Sequence, residues 1–367
     1  MRYPIKTIDR YLIRSFTYSY LISVLIMMSL YVLLDMFANI DEFADPDKPM
    51  RRMIREILSY YGYHSFLYFA QVAGMITLVA AAFTLARLYR SNELTAMLAG
   101  GISLYRVALP IILMGLVFNA LWVVDQECII PRIADKLVLA HSEAGGKRAF
   151  SLGFLRDSRN ALLTASRYVP AEKKMEEMLV LERDAEGQLV AKISAESATW
   201  DADRGCWALT RGMVQAPSNV EEFVVRGEVK RRPMEYYKSE WQPDDLLLRQ
   251  AAGWTWLMGL GELNALLRKP HLVPDIREIV AARHVRFTQP VVNILILLLG
   301  IPFFLNREPH NVLLSVGWCL ALAILCFMLA FVSQNVASTS AYPALAAWMP
   351  ILVFGPVATY LITSIKT

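Results

Sequence analysis

Charge is missing from five stretches of the chain: residues 15–34, 57–86, 107–124, 287–306 and 309–365 contain no Asp, Glu, Lys or Arg. A bilayer core about 30 Å thick is crossed by about 20 helical residues, so each of the first four stretches predicts one spanning helix. The fifth is long enough for two. Its polar middle, Ser333-Gln334-Asn335 and Ser338-Thr339-Ser340 followed by Tyr342-Pro343, predicts a short turn between them. One charge at the centre of a span costs roughly 2.5–3.5 kcal/mol on insertion scales, which makes charge-free length a strong signal. Six transmembrane helices are therefore predicted. The first stretch is too long for the apolar core of a signal peptide, and charged residues follow it instead of a small-residue cleavage site, so it is expected to remain as an anchor.

One long polar segment, about 129–275, interrupts the series after the third helix and reads mainly as strands. Met178 to Arg183 runs into a turn at Asp184-Ala185-Glu186-Gly187, and Leu189 to Ile193 resumes an extended pattern. Asp201 to Gly205 separates Ala198-Thr199-Trp200 from Cys206 to Leu209 as a second hairpin, and Phe223-Val224-Val225 is a third apolar stretch. After Trp241 the pattern becomes helical. Pro274-Asp275 predicts the start of a helix that continues through Arg283 and Arg286 into the fourth span, about 46 Å long if it reaches residue 305. The predicted architecture is thus an α-helical membrane protein with an all-β insertion. Residues 1–128 form helices one to three, 129–275 the inserted domain and its connecting helix, and 276–367 helices four to six.

Composition supports this reading. The apolar set makes up 56% of the 367 residues and Asp, Glu, Lys and Arg only 19%, against roughly 45–50% and 25% in soluble domains. The net charge of +4 comes without a basic block interleaved with aromatics, which argues against nucleic acid as a partner. Four cysteines, two of them (Cys319 and Cys326) inside an apolar run and two (Cys128 and Cys206) far apart, form neither a disulfide framework nor a zinc motif.

Six spans put both termini on one side. Arg2, Lys6, Arg10, Arg14, Arg87, Arg90, Arg106, Arg307 and Lys366 flank the spans there, whereas the opposite short loops carry Lys48, Arg51, Arg52 and Arg55. The positive-inside rule places the termini in the cytoplasm and the inserted domain outside it.

No enzyme pattern emerges. The histidines at 64, 141, 271, 284 and 310 give no H-E-x-x-H, and neither a G-x-S-x-G elbow nor a phosphate-binding Gly-Lys loop is present. No catalytic residue, cofactor or metal is expected. Asn119, Asn293, Gln334 and Asn335 within the spans are expected to make interhelical hydrogen bonds.

The connection between spans two and three is more informative. In the sequence from Arg87 to Ser103, Ser91 or Asn92 is placed to cap a helix, Glu93 falls in its first turn and Gly100-Gly101 stops it. Leu94, Met97 and Leu98 share one face at i, i+3 and i+4. That face suits either a partner's groove or the lipid headgroups.

This stretch, R-L-Y-R-S-N-E-L-T-A-M-L-A-G-G-I-S from Arg87 to Ser103, resembles the signature of the lipopolysaccharide-export permeases, the LptF/LptG (YjgP/YjgQ) family. Arg286-x-x-x-Pro290 and Gly300-Ile301-Pro302 resemble the family's fourth-span pattern, and the layout of three helices, external domain and three helices is similar over essentially the whole chain. Two departures stand out. Family members often carry a proline early in span two, where this chain reads Phe69 to Gly74. At the outer end of span one, where some members carry a basic residue, this chain has Asp35.

The resemblance implies a non-catalytic permease half of an ATP-binding-cassette exporter in the bacterial inner membrane. It would pair with a second permease of the same type and bind a cytoplasmic ATPase dimer. A jelly-roll-like periplasmic domain would pass lipopolysaccharide or a related glycolipid to a periplasmic bridge protein, and spans one and five would line a lateral gate. Residues 91–101 would be the coupling helix, with Glu93 meeting a basic residue of the ATPase, Leu94, Met97 and Leu98 filling its groove, and Gly100 and Gly101 ending the helix. Lys48, Arg51, Arg52 and Arg55 suit lipid phosphates or ordinary anchoring at the interface. A membrane-anchored scaffold that binds a partner without transport is the alternative reading.

Overall fold

The computed structural model describes residues 7–39, 49–134, 136–137, 149–157, 160–184, 186–217, 229–243, 245–246, 254–268, 275–305 and 312–364. Its helices are α1 (Thr7–Ala38), α2 (Met50–Arg90), the short α3 (Glu93–Ala99), α4 (Leu104–Val124), the short α5 (Leu260–Leu267), α6 (Ile276–Gly300), α7 (Val312–Thr339) and α8 (Pro343–Thr363). All but α3 and α5 are long and apolar enough to cross a membrane, which gives the six expected spans. Consecutive spans alternate in direction. The start of α1, α3, the start of α4 and the end of α8 meet at one end of the bundle, through Tyr11 to Glu93, Asp9 to Arg106 and Tyr105 to Ile362. The inserted domain leaves from the other end.

The expected polar turn between the last two spans is shorter than its sequence suggests. α7 runs through Ser333-Gln334-Asn335 to Thr339 because these side chains bond back to the helix or across it. Asn335 Nδ2 donates to Phe331 O, Ser338 Oγ to Asn335 O, and Ser333 Oγ to Ala346 O on α8. Hydroxyl and amide groups that find such acceptors do not have to break a helix.

α6 is the central strut. Of its most apolar window 61% is buried, against 6% for α1. Between lipid-facing helices, close packing and hydrogen bonds supply the association that the hydrophobic effect supplies in water. Both operate on α6. A Cβ on Gly300 would lie 2.1 Å from Leu78 Cδ1 and 3.0 Å from Cys319 Sγ, and one on Gly115 would lie 2.4 Å from Leu297 Cδ2, so α2, α7 and α4 all approach α6 closely. A chain of amides crosses the same contacts. Gln334 Nε2 donates to Gln289 Oε1 at 2.7 Å, Gln289 Nε2 to Asn293 Oδ1 at 3.4 Å, Asn293 Nδ2 to Asn119 Oδ1 at 3.3 Å and Asn119 Nδ2 to the Pro290 carbonyl at 3.1 Å. Asn119, Asn293 and Gln334 thus make the interhelical bonds expected of them, whereas Asn335 bonds only its own helix.

The inserted domain is one eight-stranded antiparallel sheet: β1 (Phe150–Arg156), β2 (Leu162–Val169), β3 (Lys174–Arg183), β4 (Leu189–Asp201), β5 (Cys206–Thr210), β6 (Met213–Pro217), β7 (Val229–Pro233) and β8 (Tyr236–Tyr237). Both expected hairpins are present. Gly187 and Gly205 supply the positive φ of their turns, 86° and 61°. β4 carries β3 along one edge and divides the other between β5 and β6, where the chain bends at Arg211-Gly212. β1 to β5 pair in chain order, while β8 pairs with β5 and β7 with β6, so the two halves parted at Arg211-Gly212 share the segment that follows them. Leu163, Tyr168, Met175, Val180, Ile193 and Trp207 fill its core beneath Trp241. The buried indoles are satisfied: Trp207 Nε1 donates to Trp241 O and Trp241 Nε1 to Arg156 O. Phe223-Val224-Val225 lies outside the described residues.

Past α4 the helix widens into a π-turn over Asp125–Ile129 and then continues to residue 134, beyond the predicted edge of the first helical segment. The helix expected from Pro274-Asp275 begins at Ile276, with Asp275 accepting from Arg277 N as its cap.

Candidate functional site

The connection between α2 and α4 is a short helix fixed at both ends. α2 stops at Arg90, and Asn92 takes a left-handed φ of 59°, which an asparagine tolerates better than most residues. Neither Ser91 nor Asn92 caps α3 through its side chain, contrary to expectation. Ser91 Oγ instead lies 2.9 Å from Arg87 O and 3.0 Å from Glu93 Oε1, so its single proton serves one of them at a time. The stop is the expected one. Gly101 has φ 78°, its N–H donates to Leu98 O and that of Ile102 to Met97 O, which closes a Schellman motif with Met97 and Ile102 both against the bundle core. The helix is Glu93–Ala99, shorter than the span expected from residues 91–101.

The amphipathic face is inward. Leu94 is buried in the bundle core with Leu88 and Leu104, while Met97 and Leu98 are half-buried against the same core. What α3 presents outward is Thr95, Ala96, Ala99, Gly100 and Gly101, with the half-buried Glu93 at its start. Glu93 is held in place: Tyr11 Oη on α1 donates to Glu93 Oε2 at 2.7 Å. Arg87 and Arg90 stand exposed on the preceding turn of α2. Nearby, Arg106 at the start of α4 pairs with Asp9 of α1 at 3.0 Å. Spans α1, α2 and α4 thereby meet around α3.

The end of the bundle nearer the sheet holds a second polar group that sequence reading missed. Asp35 Oδ2 accepts from Tyr61 Oη at 3.1 Å and Tyr68 Oη at 3.0 Å, and Tyr31 Oη donates to Gln71 Oε1 at 2.8 Å. The His64 ring stacks on Tyr60 at 3.9 Å between centroids. Asp35 and Tyr31 thus latch α1 to α2. Gln71 and Gln289 lie in charge-free runs and were the available signal, since an amide in hydrocarbon requires a partner.

Of the expected lipid-phosphate residues, Arg51 and Arg55 are exposed on the first turns of α2, whereas Lys48 and the Arg52 side chain lie outside the described residues.

No curated protein matches the chain. A family model, the lipopolysaccharide export system permease LptF/LptG, matches residues 10–364, from the first turn of α1 to the end of α8. The match takes in α3, the Arg286-to-Pro290 and Gly300-to-Pro302 patterns and the inserted sheet, so this multi-pass membrane protein belongs to the LptF/LptG family of lipopolysaccharide export permeases.

Proposed function

We propose that this chain is the membrane half of an ATP-driven exporter that extracts lipopolysaccharide or a related glycolipid from the bacterial inner membrane and passes it to a periplasmic bridge protein. A separate cytoplasmic ATPase dimer supplies the energy, and a second LptF/LptG-type permease completes the membrane unit. The termini and α3 face the cytoplasm, and the sheet faces the periplasm. The chain itself performs no chemistry. ATP binding and hydrolysis elsewhere shift the spans between two arrangements by binding them differently.

The observation that carries this reading is the construction of α3. Glu93 is exposed enough to meet a cation and is oriented by Tyr11, while Leu94 sits in the bundle core. A partner gripping Glu93 and the outward side of α3 at Thr95, Ala96 and Ala99 thus moves α1, α2 and α4 together, and the Gly100-Gly101 stop leaves the end of α3 open to its approach. α1 buries only 6% of its most apolar window within the chain, which leaves its surface for lipid at a lateral gate. Arg51 and Arg55, with Lys48 and Arg52, supply cations for lipid phosphates at the outer surface.

The test is purification of the tagged chain from its native membrane in mild detergent, with companions identified by mass spectrometry and ATP hydrolysis assayed, beside Glu93→Arg. The expected result is an ATPase and a second permease with the wild type, and loss of the ATPase or of its coupling in the variant. A wild-type preparation without an ATPase would refute the exporter reading.

A further inference from the structure

Both chain connections to the sheet are rooted in one buried polar joint. The chain leaves the spans through the extension of α4, whose last described residues are Lys136 and Leu137, and returns at Trp254. Between the two roots stands Arg286, on the third turn of α6 and buried. Its Nη2 donates to three main-chain carbonyls of the returning segment, Thr255 O at 3.2 Å, Trp256 O at 2.9 Å and Met258 O at 2.6 Å. Its Nε lies 3.8 Å from Glu127 Oε1 on the π-turn of the leaving segment, and its guanidinium carbon 5.9 Å from the centre of the Trp256 ring.

The other groups at the joint close the same loop. Glu127 Oε2 accepts from Leu260 N at 2.7 Å, Gln126 Nε2 donates to Trp256 O at 3.1 Å, and Glu262 accepts from Gly259 N at 3.0 Å. Around this polar centre, Ile130, Ala134 and Leu137 of the leaving root pack with Leu257 of the returning root against Ala70, Ala73 and Trp122. Trp122 Nε1 donates to Ala70 O at 2.8 Å.

The sequence explains why the joint sits here. A π-turn carries more residues per turn than an α-helix, so it rotates the side chains beyond it around the axis. Here Gln126 comes to face inward and Glu127 comes to face Arg286. Pro290 has no N–H for the Arg286 carbonyl four residues earlier, which loosens α6 at the level of the joint. A planar, always-charged guanidinium is the one side chain that serves several carbonyls and a carboxylate together. A lysine ammonium is a point charge without that fork.

We propose that Arg286 is a positioning residue. With Glu127 it locks the two roots of the sheet to α4 and α6, so that a rearrangement of the spans is delivered to the sheet as a directed movement. The proposal rests on the transport reading for its consequence but not for its geometry. No chemistry or lipid contact is assigned to Arg286. Its bonds to three carbonyls of a single turn make the connection stiff, and burial keeps water from replacing them.

The test uses the full chain with its companion subunits in proteoliposomes. Spin labels at Asp203→Cys on the sheet and Val117→Cys on α4, in a Cys128→Ser background, report the distance between sheet and span. Lipid released per ATP hydrolysed reports coupling. For Arg286→Gln the expected result is a broadened distance distribution and about a tenfold lower release per ATP, with ATP hydrolysis retained. Glu127→Gln keeps the acceptor for Leu260 N and removes only the charge, so a smaller change in the same direction is expected. This variant carries the test if Arg286→Gln does not assemble. An unchanged distance distribution with unchanged release per ATP overturns the proposal. So does a fall in hydrolysis and release by the same factor together with a lower melting temperature, because that marks a residue needed only for folding. A distribution that is narrow in a wild-type complex releasing no lipid and broadens in Arg286→Gln supports the joint and refutes transport instead.

Discussion

Tyr11 and Glu93, 82 positions apart, are joined by a 2.7 Å hydrogen bond that fixes the carboxylate of α3 against the first span. A bond to a charged acceptor is worth about 1.5–3 kcal/mol when buried, but Tyr11 is exposed and solvent screening reduces this to about 1 kcal/mol or less. Tyr11→Phe is therefore expected to leave the melting temperature nearly unchanged. The ATPase should bind a few-fold more weakly, because Glu93 then has to be ordered on binding. Tyr11→Phe combined with Ser91→Ala removes both donors and should weaken binding further. Titration of the ATPase onto the purified permease checks both. Unaltered binding in the double variant would show that the orientation of Glu93 is irrelevant to docking.

The helices of this chain were legible because their signal is local: a charge-free run of sufficient length is its own evidence. Both hairpins were legible from Gly187 and Gly205 for the same reason. The amphipathic face of α3 was also visible, but the choice between an inner core and a partner for Leu94 depends on where α2 and α4 cross, which no local pattern encodes. The polar joints were hidden more thoroughly. By local pattern Arg286 is one more residue of an extended helix, and its partners Glu127, Thr255, Trp256 and Met258 lie up to 159 positions away in a connection whose sequence carries no repeat or motif. Ser333 to Asn335 misled because such residues mark turns in water, whereas within a span they bond to the helix itself or to its neighbour.

Gly300, in the Gly-Ile-Pro pattern of α6, is expected to tolerate no side chain. An added Cβ would meet Leu78 Cδ1 at 2.1 Å and Cys319 Sγ at 3.0 Å, both buried. Overpacking of this kind costs about 1–3 kcal/mol. Gly300→Ala should lower the melting temperature in detergent, and Leu78→Ala in the same chain should recover part of the loss by removing the nearer atom. If the double variant is less stable than the sum of the single changes, steric conflict at this crossing is not the cause.

The amide chain across α7, α6 and α4 predicts non-additive losses. Asn293→Leu leaves Asn119 Oδ1 without its donor and Gln289 Nε2 without its acceptor. Interhelical hydrogen bonds in membranes average about 0.6 kcal/mol and reach about 1.7 kcal/mol, so a loss of about 1–2 kcal/mol is expected. Asn119→Leu should cost a similar amount, and the double variant less than their sum, because the bond between the two residues is counted once. Thermal unfolding of the four chains in one detergent completes the cycle. Strict additivity would mean that the two amides do not interact.

The cap of α6 makes one pH-dependent prediction. The Asp275 carboxyl is held below its usual range by the Arg277 backbone N–H, and secondarily by the Arg277 side chain, both of which donate to it. Its folded-state value is thus lower than its unfolded value. The stabilisation it gives is fully present above the unfolded value, near 4, and is lost as pH falls through the folded value below that. Between pH 7 and pH 5 Asp275 should contribute no change. Asp275→Asn retains a side-chain acceptor of similar capping strength but has no proton to gain. The difference in melting temperature between wild type and Asp275→Asn should therefore be constant from pH 7 to pH 5 and move against the wild type only below about pH 4. A difference that already changes between pH 7 and pH 5 would show that this carboxylate is not held by the first turn of α6.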